Sequence, residues 1–167
     1  MITRSVLIIF FLISFSNFSF SQKPELTQVS IKEFTGNPWL FSPTIKDIEH
    51  EYAFLKKQKY TVKNRVEPNR KDTITRLFKG KTEIFFYQPY NGKAMFISAS
   101  INDSRIRLKG ELGTGLSTHD FYARIKMPEM ASDTVTVSLP DGPYKSKFIF
   151  EKNILIQIKI EARKTNN

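Results

Sequence analysis

Ten basic side chains crowd the stretch from Lys56 to Lys81 (Lys56, Lys57, Lys59, Lys63, Arg65, Arg70, Lys71, Arg76, Lys79 and Lys81), opposed only by Glu67 and Asp72. Their local charge of +8 is most of the chain's net +10. Side chains two residues apart on a strand share a face, so Lys59, Lys63 and Arg65 are expected to form one stripe, with Arg76 nearby. Such a stripe attracts polyanions: an acidic partner protein, or anionic headgroups and polysaccharides of a cell envelope. The same lysines also suit a solvated sheet face that discourages edge-to-edge aggregation. Aromatic residues lie close by, with Phe85, Phe86, Tyr87, Tyr90 and Phe96 around one predicted hairpin. Neighbours on a strand point to opposite faces, so Phe85 and Phe86 share a core only if the strand is bulged or covered on both sides. An exposed aromatic beside the basic stripe would make a protein- or sugar-binding patch. The candidate binding residues are therefore Lys59, Lys63, Arg65, Arg76, Tyr87 and Tyr90.

Catalytic chemistry finds less material. His50 falls on the polar side of one predicted helix, and His119 in the first turn of another. A nucleophile needs a base within reach that is itself oriented by a third group, and no Gly-x-Ser-x-Gly elbow occurs. Neither histidine has the neighbours at the spacing a metal requires. The glycines from Gly110 to Gly115 lack the strand-to-helix setting of a phosphate or dinucleotide loop, so no cofactor is expected. An alternative remains in carboxylates: Asp47, Glu51 or Glu111 paired across a deep cleft would point to an envelope-glycan hydrolase. A third is an apolar-ligand carrier with an internal void lined by Phe85, Phe96, Phe148 and Phe150.

The elements that must position these residues follow from hydrophobic period. Leu26 to Phe34 reads as a strand in a lead-in segment, residues 22–42, that carries the only tryptophan, Trp39. Ile45, Ile48, Tyr52 and Leu55 recur at helical spacing and predict a three-turn helix. Tyr60, Val62 and Val66 then alternate with polar residues, as in a half-buried strand. Further strands are expected at 73–79, 82–88, 94–101 and 105–109, with Asn91-Gly92 as a type I′ hairpin turn. A second helix opens at Ser117 or Thr118 and carries Leu116, Phe121 and Ile125 on one side. Strands at 133–139, 145–151 and 154–161 close the chain, before a polar tail, 163–167, that is expected to fray.

The fold class expected is α+β, an antiparallel sheet with two short helices on one face, arranged as a single domain over 43–162. Two helix-plus-three-strand repeats, 43–109 and 113–162, are one way to read it. Asp72-Thr73-Ile74-Thr75 parallels Asp133-Thr134-Val135-Thr136, and Glu83-Ile84-Phe85-Phe86 parallels Lys147-Phe148-Ile149-Phe150. Any two amphipathic hairpins look somewhat alike, so chance similarity is the other reading.

The helix opening Gly113-Thr114-Gly115-Leu116-Ser117-Thr118-His119-Asp120-Phe121, followed by a three-stranded meander, resembles exported domains of the β-lactamase inhibitor protein type and the outer-membrane assembly lipoprotein type. The chain has Gly115-Leu116 where those families usually show Gly-Met, and it lacks the lipid-bearing cysteine of the assembly lipoproteins. The resemblance implies binding to other proteins and transfers no catalytic residue.

Residues 1–21 read as a secretory signal: Arg4, an apolar run from Val6 to Ile13, and Ser19 and Ser21 where signal peptidase needs small residues. The run is shorter than the roughly 18–20 residues that cross a bilayer as a helix, so no transmembrane anchor is expected after processing. The 146 residues that follow suit one ordinary domain. With no cysteine in the chain, no disulfide contributes to the stability of this exported body. The expectation is a non-enzymatic binding protein of the periplasm or exterior that grips an acidic protein or an anionic envelope component. Nucleic acid is not expected as a partner, since export removes the chain from it.

Overall fold

Each of the three α-helices starts just after a hydroxyl residue that is followed three residues later by an acid. In the computed structural model, which describes residues 27–163, these are α1 (Ile31–Gly36), α2 (Ile45–Glu51) and α3 (Thr118–Ile125). The Ser30 Oγ accepts from the Glu33 amide at 3.2 Å, and the Ser30 amide donates back to the Glu33 carboxylate at 3.0 Å. Thr44 caps α2 through the Asp47 amide at 3.2 Å, and Ser117 caps α3 through the Asp120 amide at 3.0 Å. Each bond satisfies an amide that would otherwise lack a partner in the first turn. Replacing Ser117 by alanine is expected to cost about 1 kcal/mol of stability, read by urea denaturation, and an unchanged midpoint would contradict the cap.

The expected α+β antiparallel architecture is present. Seven strands, β1 (Lys56–Lys63), β2 (Lys71–Lys79), β3 (Thr82–Gln88), β4 (Met95–Ile101), β5 (Thr134–Ser138), β6 (Tyr144–Glu151) and β7 (Ile154–Ala162), form one sheet in the order β1-β2-β3-β4-β7-β6-β5. A row of directly opposed residues runs Lys57, Leu77, Ile84, Ala99, Ile160, Ser146, Val137 across all of them. From Leu77 to Val137 every member of the row is buried. It forms the floor of a single core that also takes in Ile48, Phe121 and Ile125 of the helices. Burial stops at β1, whose residues are exposed except for a half-buried Val62. The neighbouring row, Gln58, Arg76, Phe85, Ser98, Glu161 and Lys145, lies on the other face of the sheet.

Several expectations are corrected. The lead-in forms α1 instead of a strand, because the Ser30-x-x-Glu33 capping box starts a helix within the apolar alternation. Its Val29, Phe34 and Trp39 belong to the core. Helix α2 ends after two turns, where Tyr52 leaves helical geometry and its hydroxyl donates to the Arg107 carbonyl at 2.9 Å. Residues 105–109 make no strand. The chain there turns through a short 3₁₀ segment, Lys109–Glu111, with Gly110 at a φ of 70° and Leu108 bonded back to Leu112 at 2.8 Å. A side chain at Gly110 would also meet Val29 at 2.6 Å, so glycine is required twice over. Asn91-Gly92 is not a type I′ turn: neither residue has positive φ, and the turn closes from the Gly92 amide to the Pro89 carbonyl at 3.1 Å. The positive-φ pair is Lys152-Asn153 between β6 and β7. Arg163 does not fray, since its amide donates to the Pro143 carbonyl at 2.8 Å. The signal-peptide reading and the rest of the tail lie outside the described residues.

The two halves can be compared through register. Pairing of β3 with β4 shifts between Phe85 and Phe86, leaving Ile97 as an extra residue, and pairing of β6 with β7 shifts between Ile149 and Phe150, leaving Ile156. Both isoleucines are exposed. The bulges thus fall at the positions aligned by the Glu83–Phe86 and Lys147–Phe150 similarity. The other similarity does not coincide in space: Leu77 lies opposite Ile84 and Val135 opposite Phe148, so Val135 corresponds to Leu77 and not to Ile74. Strand β1 is additional, giving the first half four strands against three.

Candidate functional site

The hairpin joining β1 to β2 is held by one carboxylate. Asp72 is 2 % exposed and accepts both hydrogen-bonding arms of its surroundings: the Asn64 amide at 3.0 and 3.1 Å from one side, the Tyr87 hydroxyl at 2.5 Å and the Tyr90 backbone N–H at 3.0 Å from the other. These donors, led by Tyr87, hold the Asp72 carboxyl below the usual carboxylate range, and the same contact raises the Tyr87 phenol. The Asn64 side chain also accepts from the amides of Val66 and Glu67, at 2.9 and 2.8 Å, which shapes the loop. Tyr90 donates to Glu67 at 2.7 Å with Arg70 stacked over its ring at 5.1 Å. Tyr87 and Tyr90, expected as contact residues, are therefore the struts that brace this loop against β3. Their hydroxyls are already engaged within the molecule.

The cations divide between two faces and a loop. Lys59 lies opposite Thr75 and Lys63 opposite Lys71, on the helix-side face but beyond its cover, so both are exposed. Arg65 is exposed too, but it lies past the end of β1 in the bend and does not continue the strand's alternation. Arg76 departs from the expected stripe. It occupies the opposite face of the sheet, half-buried, bonded to Glu83 and stacked on Phe78 at 4.2 Å. The Tyr60 hydroxyl and the Glu83 carboxylate both favour its charged form. Lys57 is engaged by Glu49 at 2.7 Å, and Arg70 faces Glu67 at 3.7 Å. Among the described residues no carboxylate lies within 4 Å of Lys59, Lys63 or Arg65. Those three are the cations of the expected set that have charge to offer.

Phe86 is in the core at 1 % exposure, while Phe85 lies half-buried on the face away from the helices. Tyr60, Met95 and Ile97 are exposed apolar residues of this half of the sheet. Sequence reading missed a second basic group on β6 and β7: Lys145, Lys147 and Lys159 line a hollow of about 120 Å³ together with Glu161. Lys147 and Lys159 are direct cross-strand neighbours. The alternation of Lys145, Lys147 and Ile149 with buried Ser146 and Phe148 was the signal for it.

The carboxylates and histidines considered for catalysis stay apart. Asp47 is bonded to the Thr44 hydroxyl at 2.6 Å in the α2 cap, and Glu51 and Glu111 are exposed. A larger hollow of about 510 Å³ is lined by Thr118, Glu129, Met130, Ala131, Ser132, Asp133, Phe150 and Asn153, and none of the three carboxylates enters it. His119 is on the surface beside Glu129 at 3.4 Å. Phe148 packs on Phe121 with ring centroids 4.6 Å apart, and Phe85 is on the opposite face from Phe148 and Phe150, so the four phenylalanines do not enclose a common void. Among the described residues no His, Cys, Asp or Glu group of three or more is placed to hold a metal ion, and no helix is long and apolar enough to cross a membrane. Comparison with protein-family models, with curated proteins and with solved structures found no match.

Proposed function

We propose that the chain is an exported, non-enzymatic interaction protein that grips an acidic protein or an anionic envelope component through the cationic edge made by β1 and its loop. The observation that carries this reading is the exposure of Lys59, Lys63 and Arg65 with no counter-charge within 4 Å among the described residues. Four residues of strand separate Lys59 from Lys63 by about 13 Å, so a multivalent anion can meet both at once. Attraction of this kind is screened over about 8–10 Å at physiological salt, which ties binding to ionic strength. The loop is preorganised by the Asp72 contacts, so docking costs little ordering of the backbone. The signal reading of residues 1–21 supplies the compartment.

Retention on immobilised poly-glutamate tests it. The Lys59→Glu, Lys63→Glu double variant is expected to bind at least tenfold more weakly than the natural chain and to lose most of its salt dependence, with an unchanged melting temperature. Equal retention of the two proteins would remove β1 from the contact surface.

A further inference from the structure

Strand β1 ends the sheet, and among the described residues it pairs with β2 alone. The Asn64 amide donates to the Arg70 carbonyl at 3.0 Å, and these two residues extend the β1–β2 register by one step beyond Lys63 and Lys71. In an antiparallel ladder, hydrogen-bonded and non-hydrogen-bonded pairs alternate. Counting back from Asn64, the residues Val62, Tyr60, Gln58 and Lys56 turn their backbone groups toward β2. Lys57, Thr61, Lys59 and Lys63 turn theirs outward to the free edge. Three of the four residues that present free N–H and C=O groups, Lys57, Lys59 and Lys63, thus carry cations, and of the strand's lysines Lys56 alone turns inward.

The two faces of this edge differ. Lys59, Thr61 and Lys63 share the helix-side face, whereas Tyr60, 39 % exposed, lies with Ile74 on the other. We infer that the edge of β1 accepts an extended segment of an acidic partner as an eighth strand, one whose acidic and apolar residues alternate. In antiparallel pairing, acids opposite Lys59 and Lys63 would stand on the lysine face, and the apolar residues between them would cover Tyr60 and Val62. A second copy of β1 is a poor occupant, because lysine would oppose lysine. The other edge, β5, is shorter, and its Thr134–Ser138 carries no cation. This inference rests on the reading that the partner is acidic, and adds the mode of recognition.

The probe is a synthetic peptide, Val-Glu-Val-Thr-Val-Glu-Val, with a control of the same composition in which the two glutamates are adjacent. Two readouts are used: amide exchange by NMR on the natural chain, and affinity for the variant Thr61→Pro. Proline at 61 removes an outward N–H while leaving the β2 ladder and every charge in place. The expected result is slowed exchange at Lys59, Thr61 and Lys63 on addition of the alternating peptide, with Thr61→Pro binding it at least tenfold more weakly. Edge protection in the natural chain supports the inference even if Thr61→Pro fails to fold. Equal affinity for both peptides, or no slowing at these three amides, overturns it. Loss of binding in Lys59→Glu, Lys63→Glu but not in a folded Thr61→Pro overturns strand addition alone and leaves the acidic-partner reading standing. Absence of binding by either peptide at low salt overturns both.

Discussion

Truncating Phe121 to alanine is expected to lower the unfolding free energy by about 3–5 kcal/mol. The ring is fully buried and stands 4.6 Å from Phe148, 5.2 Å from Phe150 and 5.2 Å from Tyr122, measured between centroids. It is the main apolar anchor of α3 on β6, so its removal leaves a cavity that the stiff sheet beneath cannot close. Domains of this size have only about 5–15 kcal/mol of stability, so the loss would be a large fraction of the total. Denaturant titration gives the number. A loss below about 1 kcal/mol would mean that α3 does not depend on this contact.

Replacing Asp72 by alanine has a different signature. The substitution strips a partner from the Asn64 side chain, the Tyr87 hydroxyl and the Tyr90 backbone N–H together, and leaves part-buried polar groups short of a bond. A fall in melting temperature of roughly 5–10 °C is expected. The pH dependence identifies the carboxylate as the cause. Because the folded state lowers its pKa, Asp72 stabilises the fold above the unfolded-state value, near ~4, and that contribution is withdrawn as pH falls through the lower folded value. The natural chain should therefore lose stability below about pH 4 more steeply than Asp72→Ala. Parallel acid limbs in the two proteins would assign the acid sensitivity elsewhere. Binding should suffer too, since Asn64 and Tyr90 hold the loop that carries Arg65.

Much of the fold was legible in the chain. Period-two alternation located β2 to β7 within a residue or two wherever one face was plainly apolar, as in Ile154 to Ile160. The cap at Ser117 marked α3. Failures came where two local signals competed. Ser30-x-x-Glu33 won over an alternating apolar run, and Asn91-Gly92 was overruled by the longer connection after the Phe85 bulge. A strand's own pattern also cannot reveal which face the helices cover: the apolar Tyr60 and Val62 of β1 lie on the face away from them. The candidate site was legible as charge and not as geometry. Lys59 and Lys63 were found because lysine on a strand needs no tertiary information to be exposed. Arg76 falls outside the expected stripe because its partner Glu83 comes from the adjacent strand, and the bracing contacts of Tyr87 and Tyr90 were hidden because Asp72 had no visible reason to be buried. Lys145, Lys147 and Lys159 become neighbours only when β6 and β7 pair.

The most direct test of the cationic β1 edge is to titrate isotopically labelled protein with soluble poly-glutamate at low and at physiological salt, following backbone amide shifts. The account predicts perturbation centred on Lys59, Lys63 and Arg65 that fades as salt is raised. Shifts centred instead on Lys145, Lys147 and Lys159, or on the hollow beside Glu129 and Asp133, would contradict it.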